Sequence, residues 1–153
     1  MLSTDTIAII ISYTENIYDI VTNIEEYNLM LNKYGSIFII NITNKYIVDD
    51  ELINFKRVHT INLSSCSKIT DKGLKYLKGV YKINLSYCKQ ITDEGLEYLK
   101  GVHTIDLTNC DKITDKGLEY LKGAHTIDLT NCLNITDIGI EYLKGVYTIN
   151  LSY

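Results

Sequence analysis

Residues 58–79 read VHTINLSSCSKITDKGLKYLKG, and the same text returns three times with few changes. The later copies are VYKINLSYCKQITDEGLEYLKG at 80–101, VHTIDLTNCDKITDKGLEYLKG at 102–123 and AHTIDLTNCLNITDIGIEYLKG at 124–145. We call these four copies coils 1 to 4, and a partial copy, VYTINLSY, occupies 146–153. A repeat of 22 residues is typical of a solenoid, in which each unit packs only against its neighbours.

An irregular copy precedes coil 1, and we call it the leading coil. Residues 37–57 read IFIINITNKYIVDDELINFKR and align with coil 1 if one residue is deleted where Cys66 lies. Terminal units of solenoids are usually atypical, so we predict that this segment is the first coil of the array. The aligned positions are Ile40, Ile42, Ile47, Asp49, Leu52 and Phe55, opposite Ile61, Leu63, Ile69, Asp71, Leu74 and Leu77.

Each copy predicts one strand followed by one short helix. The first half alternates apolar and polar residues with period two, which indicates a strand with one buried and one exposed face. The second half of coil 1 opens on Thr70, a candidate N-cap, and ends on Gly79, which suits the residue after a helix. Stacked copies then form a parallel sheet on one side and helices on the other, with the sheet concave because strands stack more closely than helices do.

The pattern L-x-x-L-x-L-x-x-C-x-x-I-T-D-x-G-L-x-x-L resembles cysteine-containing leucine-rich repeats, best known from F-box and leucine-rich-repeat proteins. The resemblance implies an α/β leucine-rich-repeat solenoid over residues 36–153, with a curved parallel sheet and short helices on the convex side. In that family the repeats recognise the substrates of ubiquitin ligases. Genes with this residue bias occur in amoebae and in the large DNA viruses that infect them, so the resemblance also suggests a host-directed role.

Residues 1–34 lack the repeat, and their apolar residues fall at helical spacing, which predicts a small helical unit. Their opening resembles an F-box, which implies a contact with a Skp1-like adaptor and an SCF-type ubiquitin ligase. An alternative interpretation is that these helices only cap the apolar end of the solenoid, without any link to ubiquitin. The residues that match the F-box pattern are Leu2, Ile7, Ile10, Ile11, Ser12 and Tyr13. The resemblance implies that all of these except Ser12 are divided between the adaptor contact and the unit's own core.

A protein target is expected to bind the polar, outward side of the strands and the turns that follow them. We expect the larger residues Tyr87, Asn109 and Asn131 to form one rim of this face and to anchor the target. The remaining residues of the predicted binding face are Thr60, Asn62, Ser64, Lys82, Asn84, Ser86, Thr104, Asp106, Thr108, Thr126, Asp128 and Thr130.

Three columns of side chains contain residue types that can carry out chemistry. Cys66, Cys88, Cys110 and Cys132 repeat every 22 residues, so they lie side by side rather than converge on the tetrahedron that zinc requires. Histidine alternates with tyrosine at one repeat position, which favours a role in stacking. Asp106 and Asp128 replace asparagine in a polar row, which favours a row of polar side chains over a catalytic pair of carboxylates. We therefore expect a binding protein with no catalytic residue, metal or cofactor.

Composition restricts the class of protein further. The net charge is -4, which argues against binding of nucleic acid through phosphates. The longest apolar run, at 7–11, is much shorter than a membrane span. We expect a cytoplasmic protein with reduced cysteines, located in the host cytoplasm if the chain is viral. The sequence stops after a strand, which predicts an open C-terminal edge available for self-association.

Overall fold

The computed structural model describes residues 7–13, 17–21, 39–42 and 46–152. The strands form one eight-stranded sheet in the order β2-β1-β3-β4-β5-β6-β7-β8. They are β1 Ile7–Tyr13, β2 Ile17–Val21, β3 Ile39–Ile42, β4 Thr60–Asn62, β5 Lys82–Asn84, β6 Thr104–Asp106, β7 Thr126–Asp128 and β8 Thr148–Asn150.

Strands β3 to β8 form a parallel, six-stranded part of this sheet. Equivalent repeat positions pair with each other: Ile83 lies beside Ile61 on one side and Ile105 on the other. Backbone hydrogen bonds continue past the strands into the turns, as from Leu63 N to Asn84 O at 2.8 Å. The predicted solenoid with a parallel sheet is confirmed.

Each coil returns to the next strand through a short helical segment. The α-helices are α1 Asp71–Leu74, α2 Asp93–Leu96, α3 Asp115–Leu118 and α4 Asp137–Glu141. The first three continue as single 3-10 turns at Lys75–Leu77, Glu97–Leu99 and Glu119–Leu121. Thr70 caps α1 by accepting the Lys72 N–H, and Gly79 beyond it has φ +81°. The predicted short helix, with its N-cap threonine and terminal glycine, is therefore confirmed.

The leading coil joins the stack as the alignment predicts. Its strand β3 pairs with β4, with Ile40 beside Ile61. Its helical segment is a 3-10 helix, Asp49–Phe55. The apolar residues aligned to core positions are at most 2% exposed: Ile40, Ile42, Ile47, Leu52 and Phe55.

An aspartate in the first turn of the helical segment links the leading coil and coils 1 to 3 each to the next coil. Asp93 accepts hydrogen bonds from Thr114 N at 2.8 Å and from Thr114 Oγ1 at 2.6 Å. The same pair of bonds joins Asp49 to Thr70, Asp71 to Thr92 and Asp115 to Thr136. We call these contacts the Asp–Thr links. Each threonine hydroxyl also accepts an N–H of its own helix, so one side chain both caps a helix and joins two coils.

Glycine inside the helix makes room for each link. A Cβ on Gly117 would overlap the Asp93 carboxylate and lie 3.1 Å from Leu96 Cδ1. Helices of successive coils therefore approach too closely for any side chain at this position. This close approach, rather than a backbone conformation, explains a glycine inside a helix where it otherwise costs stability.

The prediction of helices is wrong for the part of the N-terminal segment that the structure describes. β1 pairs antiparallel with β2 and with β3, so this pair of strands extends the sheet before the leading coil. Four isoleucines stand within residues 7–11, and β-branched side chains favour strands when a paired edge is available. A short apolar run fits helical and strand periodicity equally well. β1 lies between β2 and β3 and forms hydrogen bonds with both. It therefore covers the edge of β3, the first strand of the repeat sheet.

The core consists of columns of isoleucine, leucine and cysteine that run along the stack. At the last strand, β8 pairs with β7 and has no second strand partner among the described residues. Self-association through this edge stays a prediction. None of the helices in the described ranges has the length and apolar character that a membrane span requires.

Candidate functional site

The outward face of strands β4 to β7 brings the predicted target-binding residues together in three rows. Cross-strand pairing aligns Thr60, Lys82, Thr104 and Thr126 in the first row and Asn62, Asn84, Asp106 and Asp128 in the second. Ser64, Ser86, Thr108 and Thr130 follow at equivalent repeat positions and form the third row. The prediction that Ser86 is available to a target is wrong, because this residue is only 7% exposed and its hydroxyl donates to Asn84 Oδ1. We call these three rows the sheet face.

The second row shapes the turn that follows each strand. Asn62 Oδ1 accepts the Ser64 N–H at 2.9 Å, and Asp128 Oδ1 accepts the Thr130 N–H at the same distance. Asn84 and Asp106 make the equivalent bonds. Aspartate can therefore replace asparagine in this row without loss of the turn, because both residues supply the accepting oxygen.

Hydrogen bonds between strands hold the two carboxylates of this row in place. Asn84 Nδ2 donates to Asp106 Oδ2 at 3.0 Å, and Asn150 Nδ2 donates to Asp128 Oδ2 at 3.0 Å. Thr108 Oγ1 donates to Asp128 Oδ1 at 3.1 Å. Asp106 and Asp128 are directly paired on neighbouring strands. No lysine or arginine in the described part of the chain forms an ion pair with either carboxylate.

Asp128 stays ionised under ordinary conditions. Partial burial by itself raises the pKa of this carboxyl, but hydrogen bonds from Thr130, Asn150 and Thr108 lower it more. The net effect is a pKa below the usual value for aspartate. The sheet face therefore carries fixed negative charge at this position.

A rim of turn residues borders the sheet face. Tyr87, Asn109 and Asn131 have φ of 62°, 59° and 57°, and Ser65 occupies the same position in coil 1. Their N–H groups donate to the next coil, as from Tyr87 N to Thr108 O at 2.8 Å. The Tyr87 side chain is 51% exposed. The rim was predicted from the sequence, but its left-handed backbone was not; asparagine in two copies was the available signal.

The histidine and tyrosine column stacks along the other border of the sheet face. Ring centroids of His59, Tyr81, His103, His125 and Tyr147 follow each other at 4.3 to 4.8 Å. His103 Nδ1 lies 3.1 Å from Thr104 Oγ1. The predicted stacking role is confirmed, and the rings present their edges rather than their faces to a partner.

The four cysteines are buried free thiols, as their spacing predicts. Sγ of Cys88, Cys110 and Cys132 each donates to the carbonyl of a leucine in the preceding coil, at 3.1 to 3.2 Å. Burial, followed by the neighbouring thiols Cys88 and Cys132, raises the pKa of Cys110 far above its ordinary value. Such thiols are poor nucleophiles. Among the described residues no three His, Cys, Asp or Glu side chains converge as metal ligands.

Within the described ranges, the residues that match the F-box pattern lie on a strand and not on a helix. Ile7, Ile10, Ile11 and Tyr13 all belong to strand β1. Leu2 lies outside the described residues. A contact between these five residues and an adaptor protein stays a prediction.

Comparisons with known proteins agree with this geometry. The family model described as leucine-rich repeat matches residues 58–78, 82–100 and 102–122. The fold is similar to a solved yeast structure entitled "Crystal structure of Rad7 and Elc1 complex in yeast", with a TM-score of 0.57 and 17% sequence identity. The match covers 71% of this chain and 34% of the yeast chain, so this chain spans about a third of that protein. No curated protein matches the sequence. The chain thus contains leucine-rich repeats and folds as a leucine-rich-repeat solenoid.

Proposed function

We propose that the chain is a protein-binding module that recognises a protein target with its sheet face and catalyses no reaction. The observation that supports this proposal is a difference among the four coils: their packing is the same, but the charge of the second row changes. The four coils keep the same core, caps and links, while the second row changes from Asn62 and Asn84 to Asp106 and Asp128. A rigid, half-buried row with unneutralised carboxylates is suited to recognition.

The chemistry of the row indicates which side chains of a target bind there. Two neighbouring carboxylates attract lysine or arginine, and arginine binds a carboxylate through two parallel hydrogen bonds. Tyr87 adds a large, half-exposed ring at the rim, where aromatic residues often anchor an interface. We infer that the target presents a basic residue opposite Asp106 and Asp128.

Paired charge reversals test this assignment on two sides of the molecule. The variant Asp106→Arg/Asp128→Arg changes the sheet face, and Glu97→Arg/Glu119→Arg makes the same charge change on exposed residues of the helical side. Partners captured with the wild-type chain are compared with those of each variant by quantitative mass spectrometry. We expect the sheet-face variant alone to lose its partners. Equal loss in both variants, or retention in the sheet-face variant, would contradict the proposal.

A narrower proposal is that the module is the substrate-recognition adaptor of an SCF-type ubiquitin ligase. Two observations support it: the resemblance of residues 2–13 to an F-box, and a fold shared with a protein whose structure was solved as a Rad7–Elc1 complex. The alternative is a leucine-rich-repeat protein without a ubiquitin link, whose N-terminal segment is only a cap. The pairing of β1 with β3 favours the cap. In either case we propose a cytoplasmic location, within the host cell if the chain is viral.

Binding of the full chain to a purified Skp1-like protein distinguishes these two proposals. Calorimetry with the wild-type chain and with Leu2→Asp/Ile7→Asp/Ile10→Asp provides the measurement, and circular dichroism checks that the variant is folded. Binding that is lost in a folded variant supports the adaptor. Absence of binding by the wild-type chain, or equal binding by both chains, supports the cap and leaves the sheet face as the binding surface.

A further inference from the structure

Three histidines belong to the ring column that borders the sheet face, and each of them contacts the first row. They are His59, His103 and His125. His103 Nδ1 lies 3.1 Å from Thr104 Oγ1, and the equivalent distances are 3.0 Å in coil 1 and 3.1 Å in coil 4. None of the three rings is buried. Water therefore reaches each imidazole, and each can take up a proton without leaving the column.

The charged side chains of the sheet face lie a short distance along the strands from these rings. Each histidine precedes the second row by three residues, which is about 10 Å of extended chain. One lysine, Lys82, and two aspartates, Asp106 and Asp128, give the three rows a net charge of -1 at neutral pH. Among the described residues, no carboxylate forms an ion pair with any of the three histidines. A proton taken up by a ring therefore adds charge to this border instead of completing an ion pair.

The order of rings in the column determines where charge can appear. His59 and His103 lie on opposite sides of Tyr81. His103 also stacks directly on His125, with the ring centroids 4.6 Å apart. Tyr147 stacks on the far side of His125. Tyrosine keeps its proton throughout the range in which imidazole titrates, so only the histidines change the charge of the column.

The charged side chains beside the column act on these protons in opposite directions. Lys82 lies in the first row on β5, where its charge disfavours protonation of the rings on either side. Asp106 and Asp128 belong to the strands that begin beside His103 and His125, and their charges favour protonation. Proton uptake is therefore coupled to the carboxylates most strongly in coils 3 and 4.

We propose that the sheet face is a pH-sensitive binding surface, which binds a basic target at neutral pH and releases it on acidification. This inference rests on the proposed function. Imidazole takes up a proton between about pH 8 and pH 5. Three protons added to a charge of -1 give the face and its border a charge of +2. Each new charge about 10 Å from a bound cation weakens binding by about twofold in water, so three weaken it by about eightfold at low salt.

Nuclear magnetic resonance titration of the imidazole rings tests this coupling without a target. The full wild-type chain is compared with Asp106→Asn/Asp128→Asn, which installs the residue found in this row in coils 1 and 2. We expect the midpoints of His103 and His125 to move to lower pH by about 0.3 at low salt, since each ring loses a neighbouring carboxylate. The midpoint of His59 should move less. Equal midpoints of His103 and His125 in the two chains would overturn the proposal.

A basic probe tests the effect on binding. The probe is N-acetyl-arginine amide, and its affinity is measured by nuclear magnetic resonance at about pH 7.5 and about pH 5.5. The pKa of Asp128 is lowered, so this carboxylate keeps its charge at both values. We expect the wild-type chain to lose about eightfold in affinity at the lower pH.

The matched variant replaces the three histidines with tyrosine, which coil 2 carries at this position as Tyr81 and which preserves the stack. In His59→Tyr/His103→Tyr/His125→Tyr the affinity should change by less than about twofold between the two pH values. The same loss in both chains would overturn the inference and leave the proposed function intact. Absence of probe binding at the higher pH would instead contradict the proposed basic target, and the ring titration would still decide whether the histidines and carboxylates are coupled.

Discussion

Two columns of aspartate run along the same stack of coils, and they serve different purposes. Asp93 and its equivalents lie on the helical side, where the threonine of the next coil satisfies both carboxylate oxygens and glycine leaves the space. Asp106 and Asp128 lie on the sheet face, where asparagine replaces them in other coils. The first column fixes how coils stack, and the second is the one that we propose to bind the target. The carboxylates of the second column also accept hydrogen bonds from the repeat, but asparagine serves the same turn in coils 1 and 2, so the turn does not require their charge.

The largest expected effect comes from filling the space beside a link. Gly117→Ala places a Cβ against the Asp93 carboxylate and Leu96, so either the helices separate or the link breaks. We expect the free energy of unfolding to fall by about 3 kcal/mol, measured by chemical denaturation.

Gly123→Ala is the matched control, since a Cβ there contacts no atom within 4 Å and is opposed only by φ of +83°. This substitution should lower the free energy of unfolding by about 1 kcal/mol. If the two variants were equally stable, close packing would not explain the glycine inside the helix.

Removal of the carboxylate itself should have the next largest effect. Asp93→Ala deprives Thr114 of both of its bonds to the preceding coil at a position only 8% exposed. The expected loss is about 2 kcal/mol in the free energy of unfolding. Asp137→Ala removes an exposed aspartate of the same column that receives no link from the described residues, and about 0.5 kcal/mol is expected from the helix dipole alone. A comparable loss in both variants would show that the links contribute little.

A smaller effect is expected from the buried thiols, and it depends on pH. The raised pKa of Cys110 means that the folded chain holds this proton more tightly than the unfolded chain does. Stability is therefore complete below the ordinary thiol pKa and declines as the pH rises above it. Between pH 7 and 9.5 the wild-type chain should lose about 1 kcal/mol more than Cys110→Ala does. Identical pH profiles for the two chains would contradict the burial of this thiol.

The smallest effect on stability is expected on the sheet face. Asp106→Asn/Asp128→Asn restores the residue found in coils 1 and 2, and the accepting oxygen of each turn remains. The free energy of unfolding should change by less than about 0.5 kcal/mol, while binding of a basic target weakens. A large loss of stability would show that this row stabilises the stack, as the Asp–Thr links do, and would contradict its assignment to the binding surface.

The repeat made much of the fold predictable. Residues such as Ile61 and Leu63 recur at one spacing in several copies, so their burial followed from pattern alone. The partners of Asp71 and Gly73 were not predictable, because each contact joins a coil to its neighbour. The sequence of a single copy does not indicate which residue of the next coil is in contact. The N-terminal segment occurs only once, so its predicted secondary structure could not be compared with that of a second copy. There, spacing suggested helices where Ile7–Tyr13 forms a strand.

On the sheet face, position was easier to predict than detail. Pairing placed Asp106 beside Asp128, as the register of the repeat required. The bonds from Asn84 and Asn150 depend on which way two amides turn, and sequence does not determine that choice.

The Asp–Thr link has a consequence for how such a gene can change. Each copy supplies one acceptor and one donor, so a unit inserted between two others finds both partners already present. Duplication or loss of a whole copy by unequal recombination therefore changes the length of the array without breaking the pattern of Asp–Thr links. A lineage with this link can extend or shorten its recognition surface in single steps of 22 residues, with point mutations needed only to adjust what the new surface recognises.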